Sequence, residues 1–204
     1  MPFSFIVGGD ACTSGFLERD RLVSNIKVQT GPAIRLIPEM SFVCNGTISG
    51  YTVAQMRRGS GREQHPAIQI WRRNSSECQS TVYYKVGNAI SIDNNYCRPK
   101  NQAIPSSLSA STQSERNMIF SCQLDDSFHV AVQSGDIFGL ELPTKNAETS
   151  ALLFAVVFNG PTNYVFKFAQ GQFPSLSRAV LTNEVTTNQE LPQITFEFES
   201  GTTI

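Results

Sequence analysis

The sequence predicts an all-β protein, an antiparallel two-sheet β-sandwich of jelly-roll-like type, and three observations support this fold class. Residues 130–143 alternate apolar and polar side chains on both sides of a Ser-Gly-Asp turn, which is typical of a strand, a tight turn and a second strand. The same period of two recurs along the chain and predicts about ten or eleven strands, at roughly 8–15 residue spacing. No segment has the period of an amphipathic helix. Two packed antiparallel sheets bury such a set of strands.

The first half of the chain contains strand-like runs separated by loops. Phe42–Val53 keeps period two but changes register, which predicts a β-bulge near Gly50. Gly87-Asn88 stands between two short alternating runs and predicts a hairpin turn. The strands predicted here are Ser24–Val28, Ile34–Ile37, Phe42–Val53, Ala67–Arg72, Thr81–Val86 and Ala89–Ile92.

The second half begins with Asp93–Gln113, a segment rich in Ser and Asn that is predicted to be irregular. Ala151–Phe158 is almost continuously apolar, which predicts a central strand buried on both faces. Asn163–Phe168 is expected to pair with it across Gly160-Pro161-Thr162. The strands predicted here are Met118–Leu124, Phe128–Val132, the two halves of the 130–143 hairpin, Ala151–Phe158, Asn163–Phe168 and Ile194–Glu199.

Length and composition limit the class of protein. Residues 31–204 are expected to form one sandwich domain, and residues 1–30 an N-terminal extension that is the tail of an upstream module. Charged residues make up 16% of the chain, against roughly 25% in an average soluble domain. The net charge of −1 excludes a global electrostatic footprint for nucleic acid. The longest apolar run, Ala151–Phe158, is far shorter than the ~20 residues of a membrane span, so no direct membrane insertion by this segment is predicted.

The cysteines and sequons favour an oxidising compartment. The five cysteines match no metal or redox spacing. Sequence alone does not fix their pairing; Cys97 with Cys122 is preferred, Cys12 with Cys44 is second, and Cys78 is then left over. Five reduced, buried thiols are the alternative. Asn45 and Asn74 begin two N-glycosylation sequons, which are acceptors only if the chain is secreted. As written, the chain shows no secretory signal, so it either stays inside the cell or is a piece of a longer protein.

No catalytic constellation is visible, so we predict a protein that is not an enzyme, with no cofactor and no metal. The chain has two histidines, His65 and His129, and no nucleophile elbow. Asp125-Asp126 is interpreted as a solvated turn, and Asp136 as a turn residue that bonds its own backbone. Glu197 and Glu199 share one face of a strand, where they protect a sheet edge from aggregation.

A basic cluster is the best local candidate for ligand binding. Its cations fall within one stretch of the chain and are expected to converge at one end of the sandwich, where guanidinium groups suit sulfate or carboxylate groups. A solvated loop is the alternative interpretation. Trp71 is interpreted as a core or inter-sheet anchor, or else as an exposed stacking platform for sugar. The candidate ligand-binding residues are Arg57, Arg58, Arg62, His65, Trp71, Arg72 and Arg73.

Several segments occur in a familiar order: IRLIPEMSFVCNGTISGYTVA (34–54), PAIQIWR (66–72), VAVQSGDIFGLELP (130–143), GPTNYVF (160–166) and LPQITFEF (191–198). Through them the chain resembles an uncharacterised family of all-β ectodomains in cell-surface and secreted proteins of early-branching animals. The resemblance covers about residues 34–200. It implies extracellular placement in a modular protein and supplies no catalytic residue.

These observations together predict an extracellular recognition or adhesion module of a cell-surface protein, non-catalytic, whose end loops bind a protein or a glycan. A structural spacer without its own ligand is the second hypothesis, and a carbohydrate-active enzyme is the third. The expected partner is a cell-surface protein or glycan, and nucleic acid is not expected. The sequence gives no oligomeric state.

Overall fold

The computed structural model describes residues 12–14, 26–28, 32–57, 65–76, 81–92, 97–103, 116–142, 151–156, 162–169, 175–181 and 190–199. Within these ranges, residues 14, 26–28, 54–57, 97–103, 116–119, 151–156 and 190 are described by their backbone alone. The described residues form antiparallel strands and one short 3-10 helix, Asp126–Phe128.

The strands, in chain order, are β1 (Thr13–Ser14), β2 (Ile26–Val28), β3 (Ala33–Phe42), β4 (Gly46–Arg57), β5 (Ala67–Arg73), β6 (Val82–Ser91), β7 (Cys97–Ala103), β8 (Arg116–Gln123), β9 (Val130–Val132), β10 (Ile137–Leu142), β11 (Ala151–Val156), β12 (Tyr164–Lys167), β13 (Arg178–Val180), β14 (Glu190–Pro192) and β15 (Ile194–Glu199). Sheet 1 has the order β1-β3-β10-β5-β6-β13, and β12 also pairs with β3. Sheet 2 has the order β14-β11-β4-β8-β7, and β15, β9 and β2 pair with its inner strands. Every pairing is antiparallel, which confirms the predicted all-β sandwich class.

The main core lies between the two sheets. Phe42 and Phe138 of sheet 1 meet Phe196 of sheet 2, with ring centroids 5.6 and 6.0 Å apart. Tyr51, on β4, is 2% exposed and donates its hydroxyl hydrogen bond to the Ser91 carbonyl of sheet 1. Full burial of each phenylalanine contributes about 1.5–3 kcal/mol, so these rings hold the two layers together.

Sheet 1 also carries a second apolar cluster on the face that points away from sheet 2. Ile34, Leu36, Trp71 and Ile137 form this cluster with Ala179 and Leu181, and the first three are fully buried. Strands buried on both faces carry nearly continuous apolar runs, as seen for residues 33–37 of β3 and residues 137–142 of β10. The second cluster is therefore a smaller core supported by the centre of sheet 1.

The predicted hairpin of residues 130–143 is wrong, although its two strands and its turn exist. Strand β9 pairs with β4 in sheet 2, whereas β10 pairs with β3 and β5 in sheet 1. The turn Gln133–Asp136, with Gly135 at φ 92°, therefore carries the chain from one sheet to the other. Alternation with period two identifies strands but does not identify their partners. The side chains of β10 are buried because β3 and β5 flank this strand on both sides.

The predicted hairpin at Gly87-Asn88 is also wrong, because β6 runs without interruption through these residues. Ile68 pairs with Ile90 and Ile70 pairs with Val86, so three residues of β6 face one residue of β5. Gly87, at φ 64°, lies in this bulge. A glycine that permits positive φ thus serves a bulge here rather than a turn.

Two further predictions on strands need correction, and one is confirmed. β7 lies inside the segment predicted to be irregular, and it contains Pro99 because an edge strand tolerates proline. β12 pairs with β3 rather than with β11. The bulge predicted near Gly50 is confirmed, since Glu197 pairs with Gly50 while Phe198 pairs with Ile48.

Part of the predicted N-terminal extension belongs to the sheets as β1 and β2, and the rest of residues 1–30, except Cys12, lies outside the described residues.

Candidate functional site

The structure does not bring the predicted arginine cluster together. Arg57 is the last residue of β4, in sheet 2, and Arg72 lies near the end of β5, in sheet 1. Arg72 forms hydrogen bonds with Asp136, which lies in the turn that follows β9. Val132, the last residue of β9, pairs with Gly46, the first residue of β4. Eleven residue steps of β4 then separate that end from Arg57, roughly 36 Å at about 3.3 Å per residue. The predicted convergence is wrong, because β4 and β5 belong to different sheets and their last residues lie at opposite ends of the sandwich. Arg58 and Arg62 lie outside the described residues.

Arg72 is engaged in a two-pronged ion pair inside the chain. Its Nε donates to Asp136 Oδ1 and its Nη2 to Asp136 Oδ2, both at 2.8 Å. Oδ2 of Asp136 also accepts the Gln133 N–H at 2.8 Å, which confirms the bond to its own turn that the sequence predicts. The Asp136 side chain is 1% exposed and that of Arg72 is 37% exposed. The hydrogen bond to Asp136 is the largest cause of the raised pKa of Arg72.

Two loops meet beside this ion pair, and we call them the clamped end: residues 43–45 and 133–136. The Cys12–Cys44 disulfide cross-links the first loop to the residue that precedes β1, with the two Cα atoms 5.0 Å apart. Asn45 Oδ1 accepts the Ser134 N–H at 3.0 Å, which joins the two loops directly. Backbone hydrogen bonds between Phe42 and residues 135–136 add two more ties, at 2.8 and 2.9 Å. The clamped end is therefore held by covalent, ionic and hydrogen-bonded links.

The other cysteine and sequon predictions have distinct outcomes. Cys122 is disulfide-bonded, and the Cα of Cys97 is its register partner on the neighbouring strand. Asn45 is exposed, whereas Asn74 is half-buried and accepts hydrogen bonds from the backbone and hydroxyl of Ser76. Cys78 lies outside the described residues.

The two histidines lie beside different sheets of the described structure. His65 is half-buried just before β5, at the end opposite to Arg72. His129 lies with Nε2 3.3 Å from the Leu124 carbonyl and with Nδ1 3.8 Å from Glu199 Oε2, on the outer side of sheet 2. Asp125 and Asp126 are exposed. No group of three His, Cys, Asp or Glu side chains among the described residues could hold a metal ion.

A surface that sequence reasoning missed lies on the outer side of sheet 1, and we call it the tyrosine face. The register places Arg73 opposite Tyr83 and Trp71 opposite Lys85, so these side chains project from neighbouring strands on one side. The members of the tyrosine face are Gln69, Trp71, Arg73, Tyr83, Lys85, Glu141 and Tyr164.

A buried hydrogen-bond chain supports this face. Trp71 is fully buried and donates its indole Nε1–H to Gln69 Oε1 at 3.1 Å. Gln69 in turn donates from Nε2 to Glu141 Oε2 at 2.7 Å. The indole packs over Gly139, where an added Cβ would lie 2.5 Å from Trp71 Nε1. Trp71 is thus the core anchor that the sequence suggests, and its full burial rules out the exposed stacking platform.

The electrostatics of the face follow from partial burial. Burial is the largest cause of the raised pKa of Glu141, and the hydrogen bond from Gln69 and the charge of Lys85 act in the opposite direction. Burial also raises the pKa of Tyr83, where the charge of Arg73 lowers it and Tyr164 raises it further. At neutral pH, Tyr83 is therefore a neutral phenol that can donate and accept hydrogen bonds.

The two tyrosines are brought together by curvature of the sheet. Tyr83 is on β6 and Tyr164 on β12, four inter-strand steps apart. On a flat sheet these steps would separate them by roughly 19 Å, at about 4.8 Å per step. Tyr83 and Tyr164 nevertheless pack against the same buried cluster, so sheet 1 curls around that cluster. Strands distant in sequence build this face, and each one alone has an ordinary pattern.

Comparison with known proteins finds no matching family model, no matching curated protein and no matching solved structure. Within the described residues, no helix has both the length and the apolar character that crossing a membrane requires.

Proposed function

We propose that this chain is an extracellular recognition or adhesion module of a cell-surface protein, non-catalytic, which binds its partner through the loops of the clamped end. The observation that carries the proposal is the double fixation of these loops by the Cys12–Cys44 disulfide and the Arg72–Asp136 ion pair. Loops that are ordered before binding lose less conformational entropy when a partner docks. Binding residues also concentrate on loops that a rigid scaffold positions.

The cross-link supports the compartment in this proposal, because disulfides persist mainly in oxidising environments. Asn45 lies on the clamped end with an exposed side chain, which is compatible with an attached glycan. The segments that resemble animal ectodomains point to the same placement. The partner class, a cell-surface protein or a glycan, follows from this placement.

The clamped end offers an apolar contact at its surface. Val43 is 49% exposed within the first loop, next to the cross-linked Cys44. An exposed apolar side chain on an immobilised loop is a suitable central contact for a protein partner, with the polar Ser134 beside it.

The experiment is a binding screen of the secreted, oxidised chain against arrays of cell-surface proteins and glycans, followed by charge substitution. Val43→Glu should reduce binding by about tenfold or more, because it places a charge in a desolvated contact. Phe128→Glu is the matched control, since Phe128 is 59% exposed but lies on the 3-10 helix of the β8–β9 connection. Loss of binding with Val43→Glu alone supports the proposal. Equal binding by both variants contradicts the clamped end as the binding site. The absence of a partner on both arrays contradicts the proposal and favours a spacer.

A further inference from the structure

We propose that a row of exposed side chains on sheet 1, Arg178, Tyr84 and Arg72, binds an acidic sugar residue, one that carries a carboxylate or a sulfate group. We call these three residues the basic row. The inference deepens the proposed function by naming a ligand class beside the clamped end, and it rests on that function for the extracellular placement of the chain.

The register of sheet 1 places the three side chains of the basic row next to one another. Tyr84 of β6 pairs with Arg72 of β5 on one side and with Arg178 of β13 on the other. Residues directly opposite each other in antiparallel strands project to the same face of the sheet. The Cα atoms of the two arginines are therefore two inter-strand steps apart, about 10 Å at about 4.8 Å per step, with Tyr84 between them.

The basic row is open to solvent because it lies just beyond the main core. Ile70 and Val86 form the preceding pair on the same face, and they pack in the core between the sheets. One pair further along, Tyr84 is 43% exposed, the Arg72 side chain is 37% exposed and Arg178 is exposed as well. Among the described strands, β13 is the last of sheet 1, so the row ends at a sheet edge that a ligand can approach.

Both guanidinium groups of the row have N–H groups that are still unused. Arg72 uses Nε and Nη2 for Asp136, and its Nη1 makes no hydrogen bond with any described residue. The Arg178 side chain likewise makes no hydrogen bond or ion pair within the described part of the chain. A guanidinium group carries five N–H donors in a planar fork that matches the oxygens of carboxylates and of tetrahedral oxyanions. The row therefore offers several donors to an acidic group.

The buried Asp136 holds one of these guanidinium groups in a fixed orientation. Two hydrogen bonds of 2.8 Å join Arg72 to its carboxylate, which is 1% exposed. An arginine that is fixed before binding loses less conformational entropy when it receives an anion. Asp136 offsets the charge of Arg72, so the net positive charge of the row comes from Arg178.

The tyrosine between the two cations favours a sugar as the carrier of the acidic group. Its exposed ring can stack against the apolar face of a sugar while the phenol oxygen remains hydrated. The phenol oxygen forms no hydrogen bond with a described residue, and it both donates and accepts, as a sugar hydroxyl requires. The arginines on either side then receive a carboxylate or sulfate of the same glycan through charge-assisted hydrogen bonds. An acidic peptide would use the cations but has no need of an exposed ring between them.

The test is calorimetric titration of the folded, oxidised chain with hexasaccharides of sulfated heparin, of carboxylated hyaluronan and of neutral maltose units, and with a poly-glutamate peptide. Binding of at least one acidic hexasaccharide is expected, and it should weaken as salt rises from about 50 to about 300 mM because salt screens exposed charges. Arg178→Gln and Tyr84→Ala should each weaken this binding by about tenfold or more. Both residues are exposed, so the thermal midpoint of unfolding should stay close to that of the parent chain.

Each of these two substitutions has a matched control. Lys167→Gln removes the same charge from an exposed residue of β12, which pairs with Ala33 at the other end of β3. Phe128→Ala removes an exposed ring from the 3-10 helix of the β8–β9 connection. Either control should change the affinity by less than about twofold.

The inference is overturned if neither acidic hexasaccharide binds, if the neutral one binds as tightly, or if Arg178→Gln weakens binding no more than Lys167→Gln. Tighter binding of the poly-glutamate peptide would assign the basic row to a protein partner and would equally contradict it. Val43→Ser removes the apolar contact of the clamped end without adding charge, and it should leave binding of the acidic hexasaccharide unchanged. A partner that still depends on Val43, while no acidic hexasaccharide binds, would overturn this inference and leave the proposed function standing.

Discussion

Removal of the Arg72 guanidinium is the sharpest perturbation of the clamped end. Arg72→Met keeps the length and apolar stem of the side chain but leaves the Asp136 carboxylate, 1% exposed, with the Gln133 N–H as its remaining bond of the three described. Removing one partner of a fully buried ion pair costs about 3–5 kcal/mol. Arg72 is 37% exposed, and solvent already weakens the pair, so we expect about 2–3 kcal/mol.

Substitution of the other partner, Asp136, should lower the free energy of unfolding by less. Asp136→Asn keeps an acceptor oxygen for the turn, and the uncompensated Arg72 can reach water through its exposed part. We expect a loss of about 1–2 kcal/mol, and a coupling energy of about 1–2 kcal/mol in the double-mutant cycle. Arg73→Met is the matched control, because the neighbouring arginine is exposed and should change stability by less than about 0.5 kcal/mol.

The assay is equilibrium urea denaturation of the oxidised chain and of the four variants, with unfolding followed by Trp71 fluorescence. The predicted order of loss is Arg72→Met, then Asp136→Asn, then Arg73→Met. Two outcomes would contradict this order: Arg72→Met as stable as Arg73→Met, or Asp136→Asn as the most damaging change. Either result would mean that the ion pair does not hold the two loops.

The remaining predictions address the disulfide, the small core and the half-buried carboxylate. Replacement of Cys12 and Cys44 by Ser removes a cross-link with a sequence separation of 32. The free energy of unfolding, measured in urea, should fall by about 3–4 kcal/mol. An unchanged urea midpoint would contradict this prediction. Gly139→Ala places a Cβ 2.5 Å from Trp71 Nε1 and should cost about 1–3 kcal/mol with a shifted indole emission, whereas unaltered emission would show that the indole does not lie there. Burial raises the pKa of Glu141 above its ordinary value of 4.5, so the folded state binds its proton more tightly, and this stabilising contribution is full below 4.5 and declines as pH rises through the folded pKa. As pH rises from about 4 to about 7, the free energy of unfolding of Glu141→Gln should therefore increase relative to that of the parent chain. A difference in this free energy that does not change with pH would disprove the pKa shift.

The strands were predictable from the sequence where the signal is local. The register change near Gly50 predicts the bulge that β4 contains, because it is visible in the side chains themselves. The single strand predicted over Phe42–Val53 is wrong, since Phe42 ends β3 in sheet 1 and Gly46 begins β4 in sheet 2. The turn at Gly135 is likewise predicted by its local sequence, Ser-Gly-Asp. The partners of β9 and β10 were not, since the choice of sheet depends on which distant strands can cover each face.

The same limit applies to the candidate sites. The sequence predicts Asp136 as a turn residue, but its ion pair with Arg72 joins residues 64 positions apart and leaves no local signal in the sequence. The arginine cluster appeared compact in sequence and is split by the passage of the chain between sheets. The tyrosine face is built from four strands and required the curvature of sheet 1.

Non-reducing peptide mapping by mass spectrometry, on the protein from its native source, reads out the cross-link and the glycosylation of this sandwich together. We expect a cross-linked peptide that joins Cys12 to Cys44, and a glycan on Asn45. Free thiols at both cysteines together with an unmodified Asn45 would contradict the placement of this sandwich outside the cell.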